Sequence, residues 1–177
     1  MQQKKAISKM ILSGLFLALG LILPFLTGQI QQFGSMLLPM HIPVLLCGFV
    51  CGPFWGMAVG FVTPVLRSVL FGMPPLFPIA LTMALELAAY GILTGLLGSI
   101  FSKGKQGIYT ALILAMVGGR VVWGLAAGVF YGMAGIPFNW SVFIAGSFFG
   151  AWPGILVQLI LIPPLVQAIR RITASDR

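Results

Sequence analysis

Phe77-Pro-Ile-Ala-Leu-Thr-Met-Ala-Leu-Glu86-Leu-Ala-Ala-Tyr90-Gly-Ile-Leu-Thr94-Gly-Leu-Leu-Gly-Ser-Ile-Phe101 is an apolar run with one ionisable side chain, Glu86. Crossing the ~30 Å hydrocarbon core of a bilayer takes about 20 helical residues, so the run reads as a transmembrane helix. A charged group inside such a helix costs about 2.5 to 3.5 kcal/mol on insertion scales, and it usually faces a cavity, a partner or a ligand. Thr82, Glu86, Tyr90 and Thr94 follow at four-residue steps, which places them on one helical face.

The rest of the chain has the same character. Of 177 residues, 59% are hydrophobic and 7% charged, which falls outside the range of soluble domains. Apolar segments occur at about 6–26, 35–51, 54–71, 77–101, 108–131 and 142–169. The expected fold is therefore all-α: a single polytopic integral-membrane domain over 1–177, a bundle of about six transmembrane helices. Pro39, Pro43 and Pro53 should make the second segment short or broken. The start of the chain has the look of a signal peptide, but no small-residue cleavage site follows before Pro24, and we read it as a retained first span.

A formal net charge of +8 invites nucleic acid as a partner. Lys4, Lys5, Lys9, Lys103, Lys105, Arg170, Arg171 and Arg177 instead flank the apolar segments, which is a topology signal. Six spans put all of them on one side, so both termini are expected to be cytoplasmic and the protein to lie in the cell membrane. Cys47 and Cys51 match neither zinc nor redox spacing and read as small packing residues. Small residues recur at helical spacing in most spans, as in Gly56 with Gly60 and Gly91 with Gly95, where they let helix backbones approach closely.

Apart from the flanking cations, the apolar body holds His41, Arg67, Glu86 and Arg120 as ionisable groups. At 1.5 Å per residue Glu86 lies roughly 14 Å from the outer end of its span, Arg120 roughly 18 Å, and Arg67 only about 8 Å. Glu86 and Arg120 are placed to form an ion pair or to hold a ligand. Arg67 has no second acid and must reach the surface, be capped by carbonyls or await an anion. Two arginines against one glutamate favour an acidic ligand. His41, at a proline-flanked helix edge, is expected to cap backbone carbonyls or touch the ligand, and as a lone histidine without cysteines or carboxylates nearby in sequence it is a poor metal candidate.

Asn139, Trp123 and Tyr90 complete the expected binding set. Gln29, Gln31, Gln32 and Phe33 in the first outer loop, with Phe138 and Trp140 in the last, add amides and an interfacial aromatic belt. No catalytic residue, metal or cofactor is expected, since paired carboxylates, a metal-spacing cluster and a nucleophile elbow are all missing from the sequence. A proton-coupled carrier using Glu86 is the alternative among transporters, although an internal inverted repeat and a second acid for a relay are not found.

Leu38-Pro-Met-His-Ile-Pro-Val-Leu-Leu-Cys-Gly48, Arg67-Ser-Val-Leu-Phe-Gly-Met-Pro-Pro-Leu-Phe-Pro78 and Gly119-Arg-Val-Val-Trp-Gly124 resemble the substrate-binding S component of energy-coupling factor (ECF) transporters. The resemblance covers nearly the whole chain. It implies high-affinity binding of a small water-soluble vitamin from outside, without ATPase activity of the subunit itself. It also implies docking onto a transmembrane coupling protein that carries two ATPase subunits. Gly14 and Ala18 stand at the spacing of the family's Ala-x-x-x-Ala docking motif, with glycine at its first position. The subgroup it most resembles is the pantothenate type, while niacin, biotin, lipoate or folate satisfy the same charge argument.

Overall fold

A computed structural model describes residues 2–27, 36–101, 104–144 and 150–175, and within them the chain is all-helical. Helix α1 spans Gln2–Ile22 and tightens into a 3₁₀ turn, Leu23–Thr27, at Pro24, whose ring cannot continue an α-helix. Helix α2 is His41–Cys51 and α3 is Pro53–Phe71. A turn of π-helix, Leu76–Ala80, leads into α4, Leu81–Ile100. Helix α5 is Gly104–Met133, α6 the short Trp140–Ile144, and α7 Trp152–Ser175.

Five helical stretches are long and apolar enough to cross a membrane: Ala6–Phe25, Pro53–Phe71, Leu76–Ile100, Gly104–Met133 and Trp152–Ile172. The second expected segment yields only the 11 residues of α2, a rise of about 16 Å, too short to span alone. Its limits have local causes. Leu38 takes a left-handed φ of 50° just before the helix, and Gly52, at φ 100°, turns the chain directly into Pro53 at the first position of α3. The last segment also departs from expectation. Its long helix begins at Trp152, where Pro153 fits the first turn, and it runs through Pro163 and Pro164 to Ser175.

Helix α4 is the hub, packing against α2, α3 and α5. Glycines set how closely it approaches α3. A Cβ on Gly56 would lie 2.6 Å from the Gly91 carbonyl oxygen, and one on Gly60 or Gly95 would run into the backbone of Leu87 or Pro53. The expected small-residue stripes are thus a backbone-to-backbone seam, which gains dispersion where lipid gives no hydrophobic drive. Opposite the core, Ile113, Val117, Val121, Leu125 and Val129 of α5 form an exposed apolar stripe that suits contact with acyl chains.

The two ends of the bundle differ. At one end Lys9 approaches Gly52, and Arg170 of α7 reaches α4, its Nη2 donating to the Gly98 carbonyl at 3.3 Å. At the other end Phe25 meets Phe71 edge-on, and Phe77 meets Phe130. Rings Tyr131, Phe138, Trp140, Phe143 and Trp123 gather at this second end. The flanking cations Lys9 and Arg170 share one end, as the charge asymmetry of the sequence requires.

Candidate functional site

The polar face of α4 turns into the protein. Thr82, Glu86, Tyr90 and Thr94 are all buried, and the two threonines satisfy their hydroxyls locally by donating to the carbonyls of Pro78 and Tyr90 at 2.7 Å. Glu86 and Tyr90 therefore remain to face the neighbouring helices.

Glu86 is the centre of a cluster drawn from three helices. Arg120 of α5 donates through Nη1 to Glu86 Oε1 at 2.9 Å, and the Tyr90 hydroxyl donates to the same oxygen at 3.1 Å. His41, the first residue of α2, sets its Nε2 3.7 Å from Glu86 Oε2 and its ring edge-on to Tyr90 at 5.3 Å. Gly119 makes room for this arrangement, because a Cβ there would collide with the Tyr90 ring. With Glu86 1% exposed and Arg120 8%, the pair is an internal ion pair, stabilising only while both partners are present.

The pairing leaves polar atoms without partners. Arg120 Nη2 and both ring nitrogens of His41 are buried with no hydrogen-bond partner among the described residues. Such groups are costly in a low-dielectric interior unless something supplies the missing bond. The expected carbonyl capping by His41 is therefore not found; its imidazole turns toward Glu86 instead. Of the sequence-derived set, the structure brings together His41, Glu86, Tyr90 and Arg120.

It does not bring the remaining three into that cluster. Arg67 Nη1 donates to the Leu21 carbonyl at 2.7 Å, and its guanidinium sits 4.9 Å from the Phe25 ring centre and 5.5 Å from that of Phe71. It thus caps the end of α1, where carbonyls lack helical partners, and ties that end to α3. Asn139 is exposed and accepts from the Ser141 backbone and hydroxyl at 3.0 and 2.8 Å, as a cap on the short α6. Trp123 stacks on Phe143 at 5.2 Å within the aromatic group. Gln29, Gln31, Gln32 and Phe33 lie outside the described residues.

One residue absent from the sequence-derived set shares the chemistry of the site. Gln158 of α7 is 1% exposed and its Nε2 has no partner among the described residues. The signal that singled out Glu86, a lone polar group deep in an apolar span, also marks Gln158, although an uncharged amide costs less to bury than a charge and so stands out less.

Gly14 and Ala18 are both exposed on α1, and a Cβ on Gly14 would meet nothing within 4 Å. The inward face of α1 is carried by Ser13, Phe16 and Gly20 instead. Residues 8–166 match the family model of the ECF transporter, substrate-specific component. No curated protein and no solved structure matches the chain.

Proposed function

The chain belongs to the family of ECF transporter substrate-specific components, and from that premise we propose that it captures a small water-soluble vitamin and hands it to an ATP-driven ECF complex. The observation that carries this reading is the Glu86 cluster: buried ionisable groups from α2, α4 and α5 with donors left unpaired. Pantothenate is the preferred ligand. Its carboxylate suits Arg120 Nη2, and its hydroxyls and amide suit His41 and Glu86. Niacin, biotin, lipoate and folate are the other vitamin acids to compare.

In this reading both termini are cytoplasmic, six segments traverse or enter the cell membrane with α2 as the short one, and the cluster opens to the outside. The subunit hydrolyses no ATP. Docking on the transmembrane coupling protein, with its two ATPase subunits, uses the exposed Gly14 and Ala18 face, whose smoothness allows close helix approach. A proton-coupled carrier gains little support, because Glu86 already accepts bonds from Arg120 and Tyr90 instead of standing free to shuttle a proton.

The test is titration calorimetry of the detergent-purified protein with the five vitamins, alongside uptake by cells with and without the coupling and ATPase subunits. Tight binding of one vitamin and uptake only with the ATPases is the expected outcome. Uptake by the isolated protein driven by a proton gradient would overturn it.

A further inference from the structure

Along α7, Gly154, Gln158, Ile162 and Val166 follow at four-residue steps and all are buried. Four-residue spacing places them on one helical face, so Gln158 is the single polar group of the stripe that α7 turns inward. The place it faces is fixed by its neighbour one turn earlier. A Cβ on Gly154 would lie 2.6 Å from the Met36 carbonyl oxygen and 2.8 Å from the Leu37 carbonyl carbon, so this face of α7 lies against the chain entering α2. That chain continues through Leu38, whose carbonyl accepts from the His41 amide at 3.0 Å. Helix α7 also packs against α2 and α5, the helices of His41 and Arg120. Gln158, one turn further along, is therefore directed to the side of the bundle where His41 begins α2.

The chemistry of the unpaired atoms points one way. Arg120 Nη2 and Gln158 Nε2 are donors, and a neutral imidazole at His41 has one N–H to offer. The one carboxylate nearby, Glu86, is already engaged by Arg120 and Tyr90. Arg67 is committed to the Leu21 carbonyl and adds no free charge. Among the described residues, three unpaired donors therefore stand against one unpaired acceptor, the other imidazole nitrogen.

We infer that Gln158 is a specificity-determining ligand contact, and that together with Arg120 and His41 it reads carbonyl or carboxylate oxygens at the buried end of the ligand. The inference rests on the vitamin-binding reading and deepens it by assigning a residue and a polarity. An alcohol replacing the acid keeps one neutral oxygen that can accept but loses the charge and the second acceptor oxygen, which weakens the bonds and leaves a buried donor unsatisfied.

Gln158→Leu tests this in two ways. An amide nitrogen without a partner among the described residues adds no hydrogen bond to the ligand-free fold, so the variant should melt at or above the temperature of the parent in detergent. A lower ligand-free melting temperature would overturn the assignment, since it would mean that the amide holds the fold together. For binding, pantothenate is compared with its primary amide and with pantothenol, its primary alcohol. The parent should favour the acid over the alcohol by tenfold or more, and Gln158→Leu should weaken the acid at least tenfold and narrow that ratio. Retention of the amide marks a neutral carbonyl as sufficient, and its loss marks a carboxylate; either agrees with acceptor recognition. An unchanged acid-to-alcohol ratio in Gln158→Leu overturns it. If the parent binds neither pantothenate nor any of the other four vitamins, the vitamin reading fails, and the ligand-free melting temperature still decides whether Gln158 is structural.

Discussion

Arg120 and Arg67 carry the same charge in the same apolar surroundings and serve different ends. Arg67 finds a carbonyl and two aromatic rings near the end of the bundle, whereas Arg120 meets the buried carboxylate of Glu86. Depth along the helix, which can be counted from sequence, separated the two. The partner of Arg67 could not be counted, because Leu21 lies on another helix and backbone carbonyls leave no trace in composition. Arg67→Ala is therefore expected to lower stability by about 1 to 2 kcal/mol through loss of a hydrogen bond and ring contacts, and to leave vitamin affinity within twofold. A large loss of affinity in calorimetry with an unchanged melting temperature would return Arg67 to the site. Arg120→Ala should behave otherwise. It strands Glu86, which costs about 3 to 5 kcal/mol of fold stability. If Arg120 also pairs the ligand, about 2 to 5 kcal/mol of affinity goes with it. Replacing both partners, Glu86→Gln with Arg120→Gln, removes the stranded charge and separates these effects: the fold should recover and the affinity should not.

At the scale of elements, the helices were legible because apolar runs of bilayer length leave little choice of structure in lipid. Less legible were the breaks. The left-handed Leu38 and the one-residue turn at Gly52 shorten α2, and the proline positions alone fixed neither. Glycine stripes were visible, yet their division of labour emerged only from packing. Gly56, Gly60, Gly91 and Gly95 form the α3–α4 seam, while Gly14 faces outward. Gly91→Ala should accordingly destabilise by about 1 to 3 kcal/mol, as overpacking does, seen as a lower melting temperature in detergent. Gly14→Leu should leave melting temperature and vitamin affinity unchanged but weaken copurification with the coupling subunit. Equal copurification of Gly14→Leu and the parent would remove α1 from the docking face.

For the whole molecule, the charge asymmetry of the sequence and the gathering of Lys9 and Arg170 at one end of the bundle agree, which supports cytoplasmic termini. Single cysteines introduced at residue 3 and at residue 175, on a background lacking Cys47 and Cys51, should be shielded from membrane-impermeant thiol reagents in intact cells and labelled after permeabilisation. Labelling of either in intact cells would contradict the topology. The candidate cluster was partly readable: His41, Glu86, Tyr90 and Arg120 come together as isolated polar groups in apolar spans should. Asn139 and Trp123 belong to the aromatic end and its short helix, and proximity of that kind is set by loop geometry that periodicity does not encode. The measurement that bears most directly on vitamin capture by the Glu86 cluster is mass spectrometry of the small molecule retained by purified protein, parent against the folded Glu86→Gln, Arg120→Gln double variant. The parent should carry a near-stoichiometric water-soluble vitamin and the double variant should have lost it. An empty parent, or a double variant carrying the same vitamin in the same amount, would contradict that assignment.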